Sequence, residues 1–328
     1  MHARPELSVV VPCYNEQEVV RECYRRLSGI LQQAGISYEL IFVNDGSRDE
    51  TLAILCEFHR QDSRAKILNL SRNFGQQLAI SAGIEFARGD AVAIMDADLQ
   101  DPPELLPSLL EQLRAGYDVV NCTRRSREGE GWLKLWTARA FYRLINRLSD
   151  TPLAVDTGDF RLMSRKAVQA MISLRETHRL VRGLTTWIGF RQTQLQYDRS
   201  ARLAGKTKYP MRKMLNLALD GIVSFSTMPL RLVTLVGALA AALAGLGIVY
   251  ALVLRLFTNV WVEGWTLLFT GMLFLGGLQL LSLGIVGEYI GRIYTECKRR
   301  PLFLVQEFLG DEAEEPQAVV TSATESAR

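Results

Sequence analysis

Two aspartates separated by one residue, Asp96-Ala97-Asp98, carry the strongest chemical signal in the chain. They close an apolar run, DAVAIMD (90–96), and precede Leu99-Gln100-Asp101-Pro102-Pro103-Glu104. A turn starting at Asp98 lets both carboxylates converge on one cation. Few, hard oxygen donors suit Mg2+ or Mn2+, with water and phosphate filling the remaining positions. Such an ion neutralises charge on a leaving diphosphate. By itself an Asp-x-Asp pair is a solvated turn. Its place at a strand end, ahead of Gln-Asp-Pro-Pro-Glu, favours binding. Glu16 and Asp45 also follow apolar runs, and a carboxylate beside a nucleotide accepts from ribose hydroxyls or a base N–H. Asp45, in Asn44-Asp45-Gly46-Ser47, is a good turn residue too. Asn15 and Glu16 equally suit a helix cap.

The elements that must position these residues read as an open α/β sheet. LSVVVP (7–12), YELIFVN (38–44), AKILNL (65–70), DAVAIMD (90–96) and DVVNCT (118–123) have the apolar character of buried strands. Helical patterns lie between them near 16–34, 49–62, 75–88 and 104–115. Such alternation predicts a mostly parallel sheet covered on both faces. Ligands then bind beyond the carboxyl ends of the strands. Polar groups follow each strand: Pro12-Cys13-Tyr14-Asn15-Glu16, Asn44-Asp45-Gly46-Ser47, Ser71-Arg72-Asn73-Phe74-Gly75, the Asp96–Glu104 run and Thr123-Arg124-Arg125. No GxGxxG follows the first strand, and no GxxxxGK[ST] is present, which disfavours a classical dinucleotide fold and excludes a P-loop.

The rest of the chain differs in character. Over 328 residues the net charge is only +3, against a dedicated nucleic-acid binder. Five scattered cysteines without a CxxC pair exclude a disulfide framework and a cysteine zinc site, and fit a reducing compartment. MHARPELSVVVP runs straight into a strand-like segment without a signal-peptide pattern. Residues 232–254 and 265–287 are uncharged throughout. Each makes about 34 Å of helix, enough to cross a bilayer with some tilt. Arg212, Lys213 and Arg231 precede the first span; Arg292, Lys298, Arg299 and Arg300 follow the second. The basic flanks predict a cytoplasmic catalytic part and cytoplasmic termini. The segments 132–148 and 210–227 mix aromatic or aliphatic with basic residues, as in interfacial helices or helices packed on their own domain. The expected organisation is a cytoplasmic domain over 1–226, a two-helix hairpin over 227–291 and a cytoplasmic segment over 292–328. The tail after Glu307 reads as disordered. Gly287 and Gly291 have the GxxxG spacing that packs spans of a homo-oligomer, or are ordinary helix-end glycines.

The motifs quoted above, with Thr157-Gly158-Asp159-Phe160-Arg161 and Gly287-Glu288-Tyr289-Ile290-Gly291-Arg292, resemble family 2 glycosyltransferases of the GT-A fold. Within them the chain is similar to the polyprenyl-phosphate glycosyltransferases, which include dolichyl-phosphate mannose synthases. It is closer to the bacterial bactoprenol glucosyltransferases and aminoarabinose transferases. The similarity covers about residues 6–305. It implies that Pro12, Tyr14, Asn15, Glu16, Asp45 and Arg72 bind the nucleotide-sugar. It implies that Asp96, Asp98 and Gln100 bind the metal and diphosphate, and that Asp159 belongs to the acceptor region. Arg124 and Lys134 match basic positions that meet the acceptor phosphate; Lys134 stands where many relatives have Arg. Arg202, Gly205, Thr207 and Lys208 match a basic loop over the lipid phosphate.

The implied reaction moves a sugar, glucose first among candidates, from a UDP-sugar to undecaprenyl phosphate with inversion, at the cytoplasmic face of the bacterial inner membrane. Asp96, Asp98 and Asp159 would be its catalytic acids. The residues leave open whether Asp159 is a base, orients a sugar hydroxyl, or pairs with an arginine such as Arg161. A phosphate acceptor is already anionic and needs no strong general base. The basic residues would screen two anionic groups brought together, or form a solvated face near anionic lipid. Alternatives are transfer of aminoarabinose, mannose or an N-acetylhexosamine, and a non-catalytic nucleotide-binding membrane protein. A processive polysaccharide synthase is disfavoured, because no Gln-x-x-Arg-Trp occurs and the spans are two.

Overall fold

The computed structural model describes residues 4–124, 157–177, 179–198, 227–257 and 264–310. Five strands lie where apolar runs predict them: β1 (Leu7–Cys13), β2 (Tyr38–Asn44), β3 (Ala65–Leu70), β4 (Ala91–Ile94) and β5 (Val119–Arg124). Helices α1 (Val20–Gln33), α2 (Thr51–Gln61), α3 (Gln76–Phe86) and α4 (Leu106–Arg114) fill the intervals. Helix α1 starts four residues later than the pattern 16–34 predicts. Asn15 is left-handed (φ 53°), and the Val19 and Val20 N–H groups close a turn on the Glu16 carbonyl. That turn occupies the expected first helical turn, and no side chain caps α1.

Then come β6 (Thr157–Ser164), α5 (Arg165–Ser173), α6 (Val181–Trp187) and β7 (Gln192–Tyr197), followed by long helices α7 (Met228–Phe257) and α8 (Trp265–Cys297) and strand β8 (Val305–Leu309). The sheet order is β7-β5-β6-β4-β1-β2-β3-β8. Strand β1 pairs in parallel with both β2 and β4. The chain therefore leaves β1 toward β2 and β3, and later returns to its other side. That reversal makes the carboxyl ends of β1 and β4 the topological switch point of the sheet, where open α/β sheets bind ligands. Strand β6 enters antiparallel beside β4.

Alternation along β1 explains the layers. Val9 and Val11 bury into a core under α1, α2 and α4, while Val10 faces a second core under α3, α5 and α6. Helix α3 lies close on β1: a Cβ on Gly83 would meet Val10 Cγ1 at 2.2 Å. At the opposite end of the strands a buried polar cluster ties the sheet together. Glu39 accepts from Ser8 Oγ at 2.5 Å and from the Arg88 N–H at 2.6 Å, and pairs with Lys66 at 2.8 Å.

Helices α7 and α8 are long and apolar enough to cross a membrane. Their Leu235 and Leu280 are 58% and 72% exposed in the isolated chain, as lipid-facing side chains would be. Helix α8 runs ten residues past Gly287 and ends against the sheet domain, where Glu296 accepts from the N–H (2.8 Å) and hydroxyl (3.2 Å) of Thr177. The chain then returns to the sheet. Phe303 buries in the second core, Phe308 packs on Phe86 (4.9 Å between ring centroids), and β8 pairs antiparallel with β3. Residues 302–309, expected in a trailing segment, thus complete the sheet, and strand structure extends past Glu307. The reason is that β3 would otherwise leave an open edge. Residues 311–328 lie outside the described residues.

Candidate active site

The loops that follow β1 and β2 are laced together by local hydrogen bonds. Asn15 Oδ1 accepts from the Arg48 N–H at 2.8 Å, and the Asn15 N–H donates to Ser47 Oγ at 3.1 Å. The Glu16 N–H donates to Thr51 Oγ1 at 2.9 Å. Asn15 therefore braces a loop instead of capping a helix. Tyr14 is exposed beside it, and Pro12 and Glu16 are half-buried. Cys13 is buried in the first core.

Asp45 has a double role that its turn sequence only half reveals. Its carboxylate accepts from the Phe74 N–H (2.7 Å) and the Gly75 N–H (2.9 Å), so it ties the β2 end to the start of α3. Burial raises its pKa from the usual carboxylate value, although those two N–H groups and the nearby Arg72 charge oppose the rise. Each carboxylate oxygen retains a lone pair for a further donor. Arg72 is exposed, with its guanidinium 4.1 Å from the Phe74 ring centroid. Gly46 permits this junction. Its φ is +64°, and a Cβ there would meet the Asn73 nitrogen at 2.5 Å.

After β4, burial alternates: Ala97 and Leu99 are buried, and Asp96, Asp98 and Gln100 between them are half-buried. The three polar side chains thus stay partly accessible along the loop. Leu99 is left-handed (φ 54°), and Asp98 Oδ1 accepts from the Gln100 N–H at 3.2 Å. Two carboxylates and a carboxamide oxygen are the hard donors that Mg2+ or Mn2+ prefers. Among the described residues no three His, Cys, Asp or Glu side chains form a ready-made cage. The donor set therefore fits a cation completed by water and phosphate.

Asp159 arrives at the same edge from β6. The β4–β6 pairing ends with Ile94 opposite Arg161, and Asp96 and Asp159 lie just beyond it. Gln76 Nε2 bridges them, donating to Asp96 Oδ1 at 2.7 Å and lying 3.5 Å from Asp159 Oδ2. Gln77 Nε2 donates to Asp159 Oδ2 at 3.0 Å. Arg182 Nη2 lies 3.6 Å from Asp159 Oδ1, which has no hydrogen-bond partner among the described residues. The arginine facing this carboxylate is thus Arg182. Arg161 donates instead to the backbone carbonyls of Asp159 (3.3 Å) and Gly158 (2.8 Å) and to Thr185 Oγ1 (2.5 Å). Burial lowers the Arg161 pKa to about 10, and the Asp159 charge opposes that fall.

Gln76, Gln77 and Arg182 escape the sequence reading because Gln and Arg are common in exposed helical turns. The one signal for the glutamines is their place directly after the third polar loop. Arg124 ends β5, and its side chain is outside the described residues. Lys134, Arg202, Gly205, Thr207 and Lys208, with the amphipathic segments 132–148 and 210–226, also lie outside the described residues.

Residues 8–172 match the family described as glycosyl transferase family 2. The chain belongs to this family. It is 48% identical over 307 residues to the uncharacterized glycosyltransferase YkcC of Bacillus subtilis, covering 94% of this chain and 95% of that protein. It is 48% identical over 308 residues to an uncharacterized glycosyltransferase of Synechocystis, covering 93% and 96%. It is also 40% identical over 301 residues to the bactoprenol glucosyl transferase of Shigella phage SfV, covering 92% and 98%.

Proposed function

We propose that this family 2 glycosyltransferase moves a sugar, glucose first, from a UDP-sugar to undecaprenyl phosphate at the cytoplasmic face of a bacterial inner membrane. The observation that carries the reading is that Gln76 links Asp96, in the loop after β4 that also holds Asp98 and Gln100, to Asp159 of β6. The bactoprenol glucosyl transferases similar along nearly the whole chain support the acceptor class.

Tyr14, Glu16 and Asp45 would take the base and ribose. Asp96, Asp98 and Gln100 would hold Mg2+ or Mn2+ at the diphosphate. That ion would stabilise negative charge as the bond from C1 to the UDP oxygen breaks. The acceptor phosphate oxygen forms the new bond to C1 from the opposite face, giving inversion. It is anionic at neutral pH and has no proton to lose, so Asp159 need not be a strong base. Asp159 Oδ1, with Arg182 3.6 Å away, would accept from a sugar hydroxyl and fix the ring. The basic positions Arg124, Lys134, Arg202 and Lys208 would screen the approaching phosphate.

The end of α8 supports the membrane arrangement. Its contact with Thr177 and the return through β8 keep that helix end on the sheet domain's side. Arg231 in the first turn of α7 and Arg292, Lys298, Arg299 and Arg300 at the end of α8 agree with a cytoplasmic placement. The test is purified full-length protein with undecaprenyl phosphate, Mg2+ or Mn2+, and a panel of UDP-sugars, scored by the mass of lipid-linked product. Glucose transfer is expected. Product with a different sugar alone would move the donor assignment, and nucleotide binding without any product would remove the transferase reading.

A further inference from the structure

Two neighbouring amides at the first turn of α3 join the acids of the site. We infer that Gln76 and Gln77 are positioning residues, a neutral clamp that fixes the Asp159 carboxylate relative to Asp96. The inference rests on the transferase reading above and adds residues that reading does not require.

The geometry is specific. Asp96 and Asp159 both lie within reach of one amide nitrogen, so their charges repel. A carboxamide is the side-chain group that donates two N–H bonds while adding no charge. Gln76 Nε2 uses this capacity between Asp96 Oδ1 (2.7 Å) and Asp159 Oδ2 (3.5 Å). A lysine or arginine there would bring a positive charge that competes with a bound cation.

Gln77 is fixed at both ends. Its Oε1 accepts from the Val181 N–H at 2.9 Å, and its Nε2 donates to Asp159 Oδ2 at 3.0 Å. An N–H on one side and a carboxylate on the other leave a single consistent orientation for the amide. Val181 opens α6, and the next residue, Arg182, approaches Asp159 Oδ1. Asp159 is therefore held from α3 through Oδ2, with the Arg182 charge of α6 3.6 Å from Oδ1. Such bracing keeps a reacting group in productive geometry, and a misplacement of about 1 Å costs rate up to about 100-fold.

The experiment uses full-length Gln77→Met and Gln76→Met variants, which keep the side-chain length and remove the donors. Sugar transfer from UDP-glucose to undecaprenyl phosphate gives kcat and KM, and calorimetry gives UDP affinity. The clamp predicts that kcat falls about 10- to 100-fold in Q77M, with UDP-glucose KM and UDP affinity changed less than about twofold. Q76M is expected to lower kcat similarly. Wild-type kcat in both variants overturns the clamp alone. So does loss of UDP binding in both, because a merely structural role would weaken nucleotide affinity with turnover. No transfer by the wild-type chain from any donor removes the transferase reading, and the clamp falls with it.

Discussion

Replacing Asp98 by Asn keeps the side chain's size and the oxygen that receives the Gln100 N–H, but removes a negative charge. The expected result is a loss of sugar transfer of at least about 100-fold with an unchanged melting temperature, because the missing interaction acts on developing charge. Full activity in this variant, or in protein stripped of divalent cations, would contradict the metal assignment. The cysteines give a second check at this scale. Cys13, Cys23 and Cys122 are buried. Burial, aided by nearby acids, pushes Cys23 up to about 12 and raises Cys13 and Cys122 as well. The thiolate is the reactive form, so these three should resist alkylation at pH 8 until the protein is denatured. Cys297 is exposed and should label first in a mass-spectrometric time course.

Among the elements, the junction between the β2 loop and the start of α3 carries the most consequence. Gly46 is left-handed there, with the Arg72–Asn73 backbone where its Cβ would be. Gly46→Ala should destabilise the protein by about 1–3 kcal/mol. It should also weaken UDP binding, since the same junction holds Asp45 through the Phe74 and Gly75 N–H groups. Thermal melting and calorimetry read the two effects separately. Unchanged stability would mean that the two loops separate easily. A similar link joins the Tyr197 hydroxyl at the end of β7 to the buried Asp101 behind the aspartate pair. It places the chain just before the basic segment 199–226 against the loop that follows β4.

For the whole molecule, the C-terminal return matters more than its composition indicates. Ending the chain at Arg300 would remove Phe303, Phe308 and the β8 pairing with β3. Burial of an aromatic side chain is worth about 1.5–3 kcal/mol, and an uncovered strand edge invites association. The shortened chain should melt several degrees lower and aggregate, with α7 and α8 intact. An unchanged melting curve would show β8 to be dispensable. The return also ties α8 to the sheet domain.

Strands β1 to β5, helices α1 to α4, the two long apolar helices and the aspartate pair were legible from the residues themselves. They depend on local periodicity and on polar groups at strand ends, which the chain displays without knowing its neighbours. Asp159 was reached through family resemblance, and its surroundings were not legible. β6 carries Asp159 and Arg161 within its length, and β7 is largely polar, so neither shows the apolar run of a buried strand. Their places come from pairing with partners distant in the chain. The same is true of β8, whose partner β3 lies more than two hundred residues earlier. The sequence by itself determined which chemistry was available and at which sheet edge. Only the tertiary structure decided that Gln76, Gln77 and Arg182 surround Asp159, because a shared carboxylate becomes visible once α3, β6 and α6 pack side by side.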